Sequence, residues 1–137
     1  MRHSLDKMAR ASQGVLSKYA TFSGRASRSE FWWWCLTLIL LLILCRIADH
    51  LISAPLLGGD IGPDESRLRP ISWLFSVALI VPHIAVSARR LHDIGRTGWW
   101  LLIGLVPVIG PLLLIYFYLQ PSSDDETAFG PRQQLRP

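Results

Sequence analysis

Two short segments hold most of the side chains that could do chemistry. The first is Gly24-Arg25-Ala26-Ser27-Arg28-Ser29-Glu30-Phe31-Trp32-Trp33, and the second is Ala88-Arg89-Arg90-Leu91-His92-Asp93-Ile94-Gly95-Arg96-Thr97-Gly98-Trp99-Trp100. Each sets a Gly-Arg pair and small or hydroxyl residues ahead of tandem tryptophans. Guanidinium groups recognise phosphate and carboxylate through a planar fork of donors, and indole rings settle at the level of lipid headgroups. Arg25, Arg28, Glu30, Arg89, Arg90, His92, Asp93 and Arg96 therefore form a candidate surface for anionic phospholipid headgroups or an acidic partner, with Trp32, Trp33, Trp99 and Trp100 as interface anchors. A plainer reading is that the arginines only orient the chain in a membrane, with Glu30 and Asp93 as internal ion-pair partners. Orientation alone would not require the shaped loop that His92, Asp93 and two glycines specify. Ser27 and Glu30 have capping-box spacing, and Thr97 is placed to cap a following helix.

A second group lies deeper in apolar sequence. Arg46, Asp49 and His50 share one helix face at i, i+3 and i+4. One reading is a structural cluster at the outer interface, where Arg46 snorkels outward and pairs with Asp49. The other is an intramembrane polar pathway or partner contact that also uses His83. His83 follows Pro82 and is placed to bond a carbonyl that the proline frees. A metal site is not expected, because helical rise puts His50 about 28 Å and His83 about 9 Å from the same membrane face. His92-Asp93 alone is too small a ligand set, and no Ser/His/Asp or Cys/His constellation shares a depth. The chain reads as a non-enzyme without cofactor.

The elements that must position these residues are apolar helices. Half of the 137 residues are hydrophobic and 18% are charged, against roughly 25% charge in ordinary globular domains. Apolar blocks span about 31–54, 71–88 and 99–119, and Phe31 to Ile52 of the first gives about 33 Å of helix, enough to cross a hydrocarbon core of about 30 Å. They lack the polar stripe of a soluble amphipathic helix, so lipid is their solvent. The expected fold is all-α, a small polytopic transmembrane bundle of three spans. Residues 1–23 form a basic leader, either an interfacial helix with Leu5, Met8, Val15, Leu16 and Tyr19 on one face or a disordered tail. Residues 24–120 form the membrane domain, and 121–137 a polar tail. Gly104, Pro107, Gly110 and Pro111 break the third block, which is read as one kinked span in preference to a re-entrant hairpin.

Charge sets orientation. The net charge of +4 and pI near 9.6 come largely from bases before the first block and in the 89–98 loop. That distribution suits anionic lipid and excludes a nucleic-acid groove. Three spans put the N-terminus and the 89–98 loop in the cytoplasm, with the 58–70 loop and the tail outside. Cys35 and Cys45, about 15 Å apart along one helix, cannot bridge. No cleavable signal peptide is evident, since the charged leader is too long for one. Three short spans are expected to need company, as a homo-oligomer or with a partner membrane protein.

Both basic-tryptophan segments also resemble the signature of a bacterial inner-membrane family catalogued as domain of unknown function 805. The likeness runs from about Tyr19 to Pro131. It rests on Phe22, Gly24-Arg25, Ser29-Glu30-Phe31-Trp32, Arg89 to Arg96, Gly98-Trp99-Trp100 and Pro107 to Gly110 in that order. It implies a multi-pass protein of the bacterial cytoplasmic membrane and no particular activity. Members commonly carry Asn-x-Tyr-Gly where this chain has Thr127-Ala128-Phe129-Gly130.

Overall fold

The computed structural model describes residues 2–53, 56 and 70–123, and the regular structure among them is helical. Helix α1 (Arg2–Ser17) precedes α2 (Arg28–Ala48), whose last turn widens into a π-helical turn, Asp49–Ser53. Then come α3 (Pro70–Asp93), a 3₁₀ segment (Gly98–Leu105) and α4 (Ile109–Leu119). The loop charges Asp60, Asp64, Glu65, Arg67 and Arg69, and the tail beyond Ser123, lie outside the described residues.

Among the described residues two helices are long and apolar enough to cross a bilayer, Arg28–Ile52 with 25 residues and Pro70–Asp93 with 24. Helix α2 starts where the Ser27 hydroxyl accepts the Glu30 N–H at 3.2 Å, as the capping-box spacing predicts. Of its residues only Glu30, Phe31, Trp34 and Cys45 are buried, while Leu36, Ile39, Leu40, Ile43 and Leu44 are exposed. A contiguous apolar surface of that kind is stable only against lipid or another protein. The core gathers at one end: Val15, Ala26, Phe31, Trp34, Leu79, Val86, Leu91, Phe117 and Tyr118.

Helix α1 forms in the leader and packs against α2, with Ala11 and Val15 buried. The Ser12 hydroxyl donates to Thr37 Oγ1 at 3.0 Å. Of the face expected from the sequence, Val15 is buried and Met8 half-buried, but Leu5, Leu16 and Tyr19 are exposed. Tyr19 has a different task. Pro82 lacks the N–H that would bond the carbonyl four residues earlier, that of Ala78. The Tyr19 phenol donates to this Ala78 oxygen. The expected repair by His83 is not what the structure uses, and His83 Nδ1 is buried without a hydrogen-bond partner among the described residues.

Helix α3 stops at Asp93 by a Schellman closure. Gly95 takes φ 74°, which lets its N–H reach the His92 carbonyl at 3.0 Å and the Arg96 N–H reach the Leu91 carbonyl at 2.9 Å. The chain then enters the broken third block, and here one kinked span is not observed. The 3₁₀ segment and α4 fold back on each other as a hairpin. Trp100 stacks edge-on with Phe117 at 5.5 Å, and a Cβ at Gly104 would lie 3.0 Å from Leu114 Cδ1. A Cβ at Gly110 would lie 1.9 Å from the Ile103 carbonyl oxygen, so only glycine permits the close approach. Each arm is about 16 Å long by its helical rise, about half of a hydrocarbon core.

The hairpin's tip is a γ-turn at Val108 (φ 66°, ψ −59°) with Ile109 N–H donating to the Pro107 carbonyl at 2.8 Å. The N–H groups of Val106, Gly110 and Leu112 are bonded to Ile103, Val106 and Val108 carbonyls, and Pro107 and Pro111 carry none. Few donors are therefore left facing lipid, which is the condition for irregular backbone at membrane depth. The return of the chain corrects the expected topology. Ser123 N–H donates to the Asp93 carbonyl at 3.1 Å, so the end of the hairpin sits beside the end of α3 and not at the opposite face.

Two outcomes follow. Gly110→Ala should lower thermal stability in detergent by at least the roughly 1–3 kcal/mol typical of overpacking, because its neighbour is backbone. With Cys35 and Cys45 replaced by serine, thiols introduced at Ser29 and Ser122 should be labelled by an impermeant maleimide from the same side of the membrane.

Candidate functional site

Asp93 is the centre to which three separate parts of the chain are tied. Its side chain is 1% exposed and meets two arginines. Arg25 Nε donates to Oδ1 at 2.9 Å, and Arg90, one helical turn earlier, donates from Nη1 to Oδ2. Arg25 also reaches past the carboxylate. Its Nη2 donates to the Asp93 carbonyl at 3.1 Å, to the Ser123 carbonyl at 2.6 Å and to the Ser123 hydroxyl at 3.3 Å. That hydroxyl donates in turn to the Asp93 carbonyl at 3.0 Å. Arg90 donates to the Tyr118 carbonyl, from Nε at 3.4 Å and from Nη2 at 3.3 Å, and Nη2 also donates to the Gln120 carbonyl. The last carbonyls of α4 are the negative end of its dipole, where a cation is favoured.

The loop before α2 is stitched to the same end of α3. Gly24 takes φ 89°, a left-handed conformation that suits glycine. Its carbonyl lies 3.2 Å from His92 Nδ1, and the Ala26 N–H donates to the Arg89 carbonyl at 3.0 Å. Arg89 Nη1 meets Glu30 Oε1 at 3.4 Å, both side chains being buried, while Arg89 Nε and Nη2 find no partner among the described residues. Gly98 brings the 3₁₀ segment against Ala88 and His92: an added Cβ would lie 3.4 Å from Ala88 Cβ. Thr97 occupies the position before the 3₁₀ segment without capping it through its hydroxyl. Arg96 is half-buried and lies over the Trp100 ring at 4.8 Å and the Phe117 ring at 4.6 Å, so it bridges the hairpin's arms.

The sequence-defined basic group is thus divided. Arg25, Arg89, Arg90, Glu30, His92 and Asp93 are buried together. Arg28 is exposed, as are Trp32, Trp99 and Trp100, while Trp33 is half-buried. Glu30 and Asp93 are the internal ion-pair partners anticipated from their positions. The carbonyl acceptors of Tyr118, Gln120 and Ser123 had no signal in the sequence, because any residue carries a carbonyl.

The deeper group is not brought together. Asp49 is buried and caps a different helix from its own. Its Oδ1 accepts the Ile71 N–H at 3.0 Å and its Oδ2 accepts the Ser72 N–H at 2.8 Å and the Ser72 hydroxyl. Pro70, with no N–H to satisfy, opens that helix. Arg46 and His50 remain exposed. Among the described residues no group of three or more His, Cys, Asp or Glu could hold a metal ion.

Comparison with known proteins agrees with the segments that build this site. Residues 19–131 match the family described as Protein of unknown function (DUF805). The chain is 33% identical over 123 residues to Inner membrane protein YhaH of Escherichia coli strain K12, covering 90% of this chain and 95% of that one. It is 30% identical over 116 residues to Inner membrane protein YhaI of the same strain, covering 85% and 88%. No solved structure matches.

Removing Asp93 leaves two buried guanidinium groups without their carboxylate, so Asp93→Asn should destabilise the folded protein by about 3–5 kcal/mol, read as a large fall in its melting temperature in detergent. Asp49→Ala should cost about 0.5–2 kcal/mol, the usual worth of a cap, with Asp49→Asn recovering most of it in the same melt.

Proposed function

The chain belongs to the DUF805 family, whose Escherichia coli relatives are inner-membrane proteins, and on that premise we propose a non-enzymatic module of the bacterial inner membrane. Its N-terminus lies in the cytoplasm, and its clasped end engages anionic phospholipid or an acidic partner there. The observation that carries the reading is the sorting of charge at this end. Arg25, Arg89 and Arg90 are turned inward and matched by carboxylates and carbonyls. Arg28 is left outward beside Trp32, which is 40% exposed, and Trp99, 77% exposed, stands at the same end. The buried arginines hold the face in shape, and the exposed arginine and tryptophans meet the headgroups. Lys7 and Arg10, exposed on α1, add to the same field.

A surface base is worth about 1 kcal/mol toward an anionic leaflet, roughly a fivefold preference. In nanodiscs of mixed phosphatidylglycerol and phosphatidylcholine, Arg28→Gln should therefore lower the phosphatidylglycerol enrichment around the released protein, counted by native mass spectrometry, by about fivefold. Unchanged enrichment in that variant, with Lys7 and Arg10 also neutralised, would remove the lipid reading. Co-purification in gentle detergent would then have to supply the partner, with Arg28→Glu abolishing the complex.

A further inference from the structure

At the far end of α2 a second cationic site faces outward, and nothing at the clasped end accounts for it. Arg46 lies about 24 Å along the helix from Glu30, close to where the hydrocarbon core gives way to headgroups. It is exposed, and so is His50 one turn further on. The two share with Ile39, Leu42, Ile43, Ile47 and Leu51 a shallow, open groove of about 510 Å³ on the surface of α2. Asp49, between them in sequence, does not neutralise this face, because its carboxylate is turned onto the Ile71 and Ser72 N–H groups.

A guanidinium at headgroup level is drawn to the phosphates of anionic lipids. The groove carries its guanidinium near headgroup level and presents Ile39, Leu42 and Ile43 toward the membrane interior. That polarity is the polarity of a phospholipid. We infer that Arg46 and His50 bind the phosphate of an anionic phospholipid from the leaflet opposite the clasp, with one acyl chain laid along Ile39, Ile43 and Ile47. Arg46 supplies the fork of donors for the phosphate oxygens, and His50 a single further donor.

The test uses the full chain in mixed phosphatidylglycerol and phosphatidylcholine nanodiscs, with native mass spectrometry of the lipid retained after detergent release. Beyond the phosphatidylglycerol that depends on Arg28, one further molecule should stay with the wild-type protein. Its retention should fall about fivefold in Arg46→Gln, less in His50→Ala, and little in Arg46→Lys. The same retained molecule should survive Arg28→Gln, which separates this site from the proposed cytoplasmic face. Three outcomes would overturn the inference. Retention could be equal in Arg46→Gln and wild type. Arg46→Gln could lower the melting temperature equally without lipid, marking a contact within the protein. Or it could convert a dimer to monomer with lipid retention unchanged, marking a face for a second copy.

Discussion

The structure depends on one carboxylate being shared by two buried guanidinium groups. Asp93 ends α3, Arg25 comes from the loop before α2, and Arg90 comes from α3 itself. One negative charge cannot satisfy two positive ones at low dielectric, so further acceptors must be recruited. They are the carbonyls of Tyr118, Gln120 and Ser123, delivered by the chain leaving α4. Desolvating these ions consumes much of their attraction. The larger effect is therefore geometric: α3 and the segments that precede α2 and follow α4 can close only in the arrangement that completes the set.

That closure explains the re-entrant hairpin. For Gln120 to reach Arg90 and Ser123 to reach the Arg25–Asp93 pair, the chain after Gly98 must enter the apolar layer and come back. Gly104 and Gly110 let the arms touch, Pro107 and Pro111 remove donors at the turn, and the bonds at the γ-turn retire several of the rest. Arg96 lies over rings from both arms and ties the hairpin's base together. The aromatic and glycine composition of the block is thus a packing requirement, and the apolar surface left over faces lipid.

Asp49 and Tyr19 both serve backbone groups of α3. Asp49 stands in for a missing cap at the start of α3, holding the far ends of α2 and α3 together much as Asp93 holds the near ends. Tyr19 answers the carbonyl that Pro82 frees, tying the end of the leader to α3. Both are repairs of backbone groups that water would satisfy in a soluble protein.

What the sequence determined by itself was whatever depends on composition and local spacing. The all-helical membrane fold follows from apolar runs without a polar stripe, and the N-terminal cap of α2 from Ser27 and Glu30. The two segments that build the site were visible because Gly, Arg and Trp recur in them, and Glu30 and Asp93 were recognisable as the only acids nearby. Tertiary structure decided the rest. A Gly/Pro-broken block can kink or fold back, and only the Gly110–Ile103 approach and the return to Asp93 select the hairpin. A row of arginines reads as a surface until carboxylates and carbonyls from distant segments bury three of them. Asp49 shares a helix face with Arg46, yet it accepts from Ile71 and Ser72 of another helix. Pairings with main-chain groups leave no mark on residue type, and for that reason the clasp could be located in the sequence but not drawn from it.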